Sequence, residues 1–316
     1  MKALLSIMLG VLILAPQTVQ AKWIWSKETG FYNPKYAVKD TDKEQFEAAK
    51  KAFDSKSYET SRKLFKRVIQ FFPDTKLSAE AQFMIGECYF LSEDYYSAHK
   101  AYKTLIKEYP KHGRIQEVIA RQYRIGHLFC NGTKRKWHGL PIPAYQKGVE
   151  AMKEVVSLDR WDDLADDAVF EIGWCQYRKK NYEDARITFS DLLQDYPSSE
   201  HASRAQYLKG MASYAQIQGP DYDPTKAKEA KRDFKISVDE FEGSEEEKQA
   251  REKISKMTME SARSENEIAR YYLKNRKLQA ALVYFRSLER NYSETPYGQT
   301  AKKLLALLDT LEPDKQ

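Results

Sequence analysis

Small and bulky apolar residues alternate along this chain in a register that recurs six times. Each unit is anchored on one small residue, at Ser61, Ala98, Gly148, Ala185, Ala230 and Ala281. Four positions later a bulky side chain follows in every unit (Phe65, Tyr102, Met152, Phe189, Phe234, Phe285). In five units an aromatic stands seven further on, at Phe72, Tyr109, Tyr196, Phe241 and Tyr292. These spacings place the residues on one helical face, so each unit carries a helix whose apolar stripe meets a core. Twelve residues before Ala98 and Ala185 stand Gly86 and Gly173, each preceded by Ile. An earlier helix in each unit therefore sets a glycine against the anchor of the later one.

This is the pattern of the tetratricopeptide repeat, an A helix and a B helix joined by a short turn. Glycine in the A helix permits close approach, the small anchor receives it, and the aromatics fill the remaining space. Pro73, Pro110 and Pro197 close three of the units, because proline cannot continue a helix. One hairpin cannot bury its own apolar face. The predicted fold is therefore all-α, a tetratricopeptide-repeat α-solenoid of about six helical hairpins.

The N-terminus suggests a compartment. Lys2 precedes an apolar run from Leu4 to Ala15, and Val19-Gln20-Ala21 offers a small-x-small cleavage site. Residues 1–21 read as a signal peptide, and the apolar run is too short to span a bilayer comfortably. The mature chain is expected to begin near Lys22, outside the cytoplasm. Its first cysteine is Cys88, so a lipobox cysteine is not expected. Residues 22–42 gather Trp23, Trp25, Phe31, Tyr32 and Tyr36 around Gly30 and Pro34. This aromatic lead reads as a cap over the first repeat, with a docking segment as the alternative.

Composition removes several functions. The net charge is +6, with Lys and Arg scattered among Asp and Glu at helical spacing, which argues against a nucleic-acid stripe. The five histidines show no ligand pairs at helical spacing, and no phosphate loop or nucleophile elbow is present. His127-x-x-Cys130 with His138 is the nearest approach to a metal cluster, and its spacing is too loose for a zinc site. Acidic runs at Asp162-Asp163, Asp166-Asp167 and Glu245-Glu246-Glu247 read as helix starts. No catalytic residue, cofactor or metal is predicted, and an enzyme is not expected. The three cysteines cannot form a complete disulfide set; Cys88 and Cys175, at equivalent A-helix positions, read as small core residues.

Two turns are longer than the others. Gly126 to Gly148 holds ten residues beyond the usual twelve, including Asn131-Gly132-Thr133-Lys134-Arg135-Lys136-Trp137-His138 and then Pro141 and Pro143. Gly210 to Ala230 holds eight extra, around Gln218 to Pro224. Such loops are either solvated insertions or contact elements. The remaining candidate is a surface. Three positions before the A-helix glycine stand Phe46, Phe83, Tyr123, Phe170 and Tyr207, and four after it Phe53, Phe90, Tyr177 and Tyr214. This stripe is read as mostly core, with a partly exposed edge suited to an extended or helical peptide.

Certain residues also carry a family likeness. Tyr196-Pro197-Ser198-Ser199, Asp223-Pro224, Glu265-x-x-Ile268-Ala269-Arg270-Tyr271-Tyr272, Ala280-Ala281 and Tyr292-Ser293-Glu294-Thr295 resemble the BamD family of the outer-membrane β-barrel assembly machinery. The likeness is best from about Asp166 to Leu311, and divides the repeats into an N-terminal half, 43–165, and a BamD-like half, 166–316, with a terminal capping helix. It implies a periplasmic scaffold, peripheral at the outer membrane, that binds the barrel-assembly subunit and unfolded outer-membrane protein segments. On that reading Phe46, Phe83, Tyr123, Phe170 and Tyr207 face the client, while Arg270 and Arg286 face the machinery. The chain departs from the family in its missing N-terminal cysteine and in Val283-Tyr284, where the resemblance leads one to expect Asn-Arg. The alternative is a periplasmic adaptor of the Tol-Pal, peptidoglycan or polysaccharide-export type.

Overall fold

The computed structural model describes residues 24–26, 30–32, 38–73, 75–137, 139–158, 160, 164–217 and 224–311. The expected signal peptide and most of the second long turn lie outside these. Six helical hairpins and one closing helix follow in order. They are α1 (Asp42–Asp54) with α2 (Tyr58–Phe71), α3 (Lys76–Leu91) with α4 (Tyr95–Glu108), and α5 (Ile115–Cys130) with α6 (Tyr145–Leu158). Then come α7 (Ala165–Arg178) with α8 (Tyr182–Asp195), α9 (Ala202–Ile217) with α10 (Pro224–Glu240), α11 (Glu245–Lys274) with α12 (Leu278–Asn291), and α13 (Pro296–Leu311). The tetratricopeptide architecture is therefore as the register predicts.

Two compact units divide at Gln116/Glu117. The first packs α1 to α4 around Phe46, Phe65, Val68, Ile85 and Cys88. The second carries successive cores, around Phe189 and Leu192, around Tyr214 and Phe234, and around Phe285 and Leu288. The 165/166 boundary drawn from the resemblance falls at the start of α7, which packs on α6 inside the second unit.

Helix ends follow local chemistry. Thr41, Asp94 and Ser244 each accept a hydrogen bond from the backbone N–H three residues on, satisfying a donor that the helix itself leaves open. The acidic runs at Asp166-Asp167 and Glu245–Glu247 lie in first turns, where they face the positive end of the helix dipole.

The anchors work by contact. Ala98, Ala185, Ala230, Ala281 and Ser61 are fully buried. A Cβ on Gly86 would lie 2.4 Å from Tyr102 Cε1, and one on Gly173 would lie 2.6 Å from Phe189 Cε1. Thus the bulky residue four after the anchor lies directly over the A-helix glycine. Ala49 and Ala269 hold the glycine position in the first and last hairpins. A buried glutamine adds register: Gln45 donates to Leu64 O (3.1 Å), Gln82 to Ala101 O (2.8 Å) and Gln206 to Asp233 O (2.7 Å). Each sits four residues before the glycine position and meets the carbonyl three after the anchor. A buried amide so satisfied fixes how far the B helix slides along the A helix.

The reading of Cys175 as a small core residue is corrected. It is disulfide-bonded to Cys130, with Cα atoms 5.3 Å apart, because neighbouring A helices α5 and α7 bring the two side chains face to face. Cys130 is thereby unavailable to any His127/His138 metal site. Cys88 is free and buried, its Sγ 3.5 Å from Ser61 Oγ, and burial pushes its thiol pKa up. The first long turn folds as a hairpin, β3 (Lys134–Trp137) antiparallel to β4 (Leu140–Pro143). In the N-terminal lead, β1 (Ile24–Ser26) pairs with β2 (Gly30–Tyr32) and leaves Trp25 60% exposed.

Candidate partner-binding face

The sequence-predicted aromatics separate by depth. Phe46, Phe83 and Phe170 are core residues, at 9%, 1% and 7% exposure, and cannot form an exposed edge. Phe46 packs edge-on to Phe65, and Phe170 lies 5.9 Å from Phe189 between ring centroids, so both rings fill the A–B interface. Tyr123 and Tyr207 are only half-buried. Sequence spacing gave all five the same rank. Phe83 and Phe170 are each covered by a histidine in the turn before the next A helix, His112 and His201.

Within the second unit the half-buried rings form a band on the A-helix layer. Tyr123 on α5 is raised to about 12 by burial, with the carboxylates of Asp167, Glu171 and Asp166 on α7 adding to the effect. On α7, Trp174 and Tyr177 stack with centroids 5.8 Å apart and planes 8° from parallel. Arg204 of α9 lies 5.8 Å from the Phe170 and Trp174 ring centroids. Tyr207 follows, its phenol also raised by burial and by Tyr177, Glu252 and Glu246 nearby. Every phenol in this band stays protonated at neutral pH. The face therefore offers flat apolar rings, hydroxyl donors and carboxylate acceptors. Trp174 was missed in the sequence because it lies beside the glycine, outside both aromatic registers.

One cluster resembles a metal site. Asp167, Glu200 and His201 bring ligand atoms within 4.8 Å of one another. His201 Nε2 lies 2.7 Å from Asp167 Oδ1, and its ring stacks on Phe170 at 4.4 Å. The same arrangement occurs in the first unit, where His112 lies 3.3 Å from Glu80 and stacks on Phe83 at 6.2 Å. There Arg114 sits 3.3 Å from Glu80, a cation where a third ligand would stand. The shared element is thus a histidine and carboxylate that lock the turn between repeats over a buried ring. Its signal in sequence is a His three or five residues after the closing Tyr-Pro tyrosine.

The last hairpin differs in surface. Arg270 and Arg286 are exposed. So are Tyr271 and Val283, each at 64%, with Leu273 at 44% and Leu278 at 42%. Tyr272 stacks on Tyr284 at 5.7 Å, which fixes α11 against α12 beneath these residues. Apolar and cationic groups are thus exposed together on one hairpin.

A family model described as YfiO, outer membrane lipoprotein, matches residues 38–120 and 144–310. The outer membrane protein assembly factor BamD of Caulobacter vibrioides (strain ATCC 19089 / CIP 103742 / CB 15) is 24% identical over 174 residues. That alignment covers 55% of this chain and 56% of the relative, so the chain spans about half the length of the curated relative it matches. Among solved structures, MamA is 14% identical with a TM-score of 0.35, covering 63% of this chain and 90% of its own. PilF of Pseudomonas aeruginosa is 11% identical with a TM-score of 0.31, covering 83% and 96%.

Proposed function

The chain belongs to the YfiO family of outer membrane lipoproteins, and from that premise we propose that it is a non-enzymatic periplasmic scaffold for β-barrel assembly at the outer membrane. It holds unfolded outer-membrane protein segments on the A-helix aromatic band and the barrel-assembly subunit on the last hairpin. The observation that carries this is the band Tyr123, Trp174, Tyr177 and Tyr207, half-buried aromatics on stacked, rigid helices. Such rings lose little conformational freedom when a segment lies across them, and they grip side chains without demanding one sequence. The Cys130–Cys175 disulfide supports an oxidising compartment, as do residues 1–21 read as a signal peptide. Among the described residues no helix is long and apolar enough to cross a membrane.

The test is an affinity pulldown of the chain from its own envelope extract, with immobilised aromatic-ended outer-membrane peptides in parallel. Trp174→Ala with Tyr207→Ala is expected to weaken peptide binding at least tenfold, since each buried interface aromatic contributes about 1 kcal/mol or more. Arg270→Glu with Arg286→Glu is expected to release the assembly subunit. If both folded variants bind as wild type does, the assembly reading fails and a general envelope adaptor takes its place.

A further inference from the structure

The two segments that match the family model leave out residues 121–143, and the β3–β4 hairpin lies wholly in that gap. Whatever it does is additional to the family's shared architecture. Its charge is one-sided: residues 131–143 contain Lys134, Arg135 and Lys136 and no Asp or Glu, in a chain that elsewhere mixes both signs. Lys134 and Lys136 are exposed, and Leu140 at the turn is 61% exposed.

The hairpin is also held firmly. Cys130, one residue before it begins to leave α5, is bonded to Cys175 of α7. Arg178 donates to Asn131 Oδ1 at 2.7 Å, and Asn181 donates to the Tyr145 hydroxyl at 2.8 Å on the far side. Strand pairing sets Lys134 opposite Pro143 and Lys136 opposite Pro141. The alternation of a strand puts these four on one face, with Arg135 and Leu140 on the other. Pro141 and Pro143 have no N–H to offer, so β4 is a poor template for adding another strand. On the β4 side, recognition by this hairpin runs through its side chains.

We propose that the β3–β4 hairpin meets an anionic lipid surface tip-first, with Leu140 at the turn entering the interface and Lys134 and Lys136 reaching the headgroups from the opposite face. An exposed leucine at the tip with exposed lysines behind it suits a charged surface with an apolar layer just beneath it. An acidic polypeptide would use the charges and leave Leu140 without a role. The proposal is independent of which protein partners the scaffold holds.

Cosedimentation of the purified full chain with vesicles tests it. Neutral phosphatidylcholine vesicles give the background from the rest of the chain, and equimolar phosphatidylcholine and phosphatidylglycerol give the signal. Lys134→Gln with Lys136→Gln is expected to weaken anionic-vesicle binding about 30-fold, from about 1 kcal/mol per cation. Leu140→Ser is expected to weaken it about tenfold by removing a side chain that would be buried. Lys302→Gln with Lys303→Gln, an equal charge change on exposed α13 positions, is expected to leave binding unchanged. Circular dichroism melts show that each variant is folded. The proposal is overturned by absence of binding above the neutral background or by equal losses in the two lysine pairs. It is overturned equally by an unchanged Leu140→Ser with competition by polyglutamate, which would assign the hairpin to an acidic polypeptide.

Discussion

Lys56, Glu93, Lys180 and Arg276 have φ of 58°, 60°, 63° and 57°, in the left-handed region that favours glycine. All four stand at the same place, seven residues after the glycine position, where the A helix turns into the B helix. The turn demands this conformation, since the next N–H reaches back into the A helix, as Asn181 N does to Gln176 O at 3.0 Å. Lys180→Gly should therefore raise stability by about 0.5–1 kcal/mol, the relief of Cβ crowding less the added freedom of the unfolded chain. Urea melts of the single variant measure it, and an unchanged or lower midpoint would mean that the lysine side chain contributes a compensating contact. The opposite sign is expected at the anchors. Ala98 and Ala185 have no exposed surface, so Ala98→Arg or Ala185→Arg puts an unpaired cation between helices and should destabilise by about 3–5 kcal/mol. Melting temperatures that do not fall would contradict the assigned register.

Between elements, two kinds of join hold the second unit together. One is the A–B contact, glycine against ring and glutamine against carbonyl; the other links consecutive B helices through charge. Glu183 on α8 accepts from Arg186 on the same helix (3.1 Å) and from Lys226 on α10 (2.8 Å), and these bonds hold its carboxyl at about 2, from an ordinary 4.5. A carboxylate lowered in this way adds stability above its unfolded pKa, and that stability is lost as pH falls from about 4.5 through about 2. Because Glu183 is 48% exposed, solvent screening keeps the contribution below about 1 kcal/mol. Glu183→Gln should flatten the acid limb of the stability profile by that amount, and wild-type-like acid sensitivity would show that other carboxylates dominate it. The A–B join was legible in the sequence because steric fit recurs at fixed spacing: small anchor, bulky residue four on, glycine twelve back. The charge join was not, since Glu183 and Lys226 are 43 residues apart and belong to no shared register. Depth was hidden for the same reason. Phe170 and Tyr207 hold one register position, yet His201 covers the first ring and nothing of the kind recurs over the second in that position.

For the whole molecule, stacked repeats share stability mainly with their neighbours, so a local change should stay local. The Cys130–Cys175 bond tests this in the present chain, because it lies wholly in the second unit and joins α5 to α7 across 45 residues of sequence. Closing a loop of that length restricts the unfolded chain by about 4 kcal/mol in the entropic limit, and measured values commonly fall below it. Cys130→Ala with Cys175→Ala should therefore lower the stability of residues 117–316 by up to about 4 kcal/mol. Cys88, buried with a raised thiol pKa, should react with thiol reagents only on unfolding, so the oxidised native chain should show no accessible thiol. Hydrogen exchange resolves the two units in one experiment. Faster exchange confined to amides of residues 117–316 is the expected result of the double substitution, with α1 to α4 unchanged. Equal acceleration in α1 to α4 would mean that the chain unfolds as one cooperative body, with the division at Gln116/Glu117 reflecting packing and not energetics.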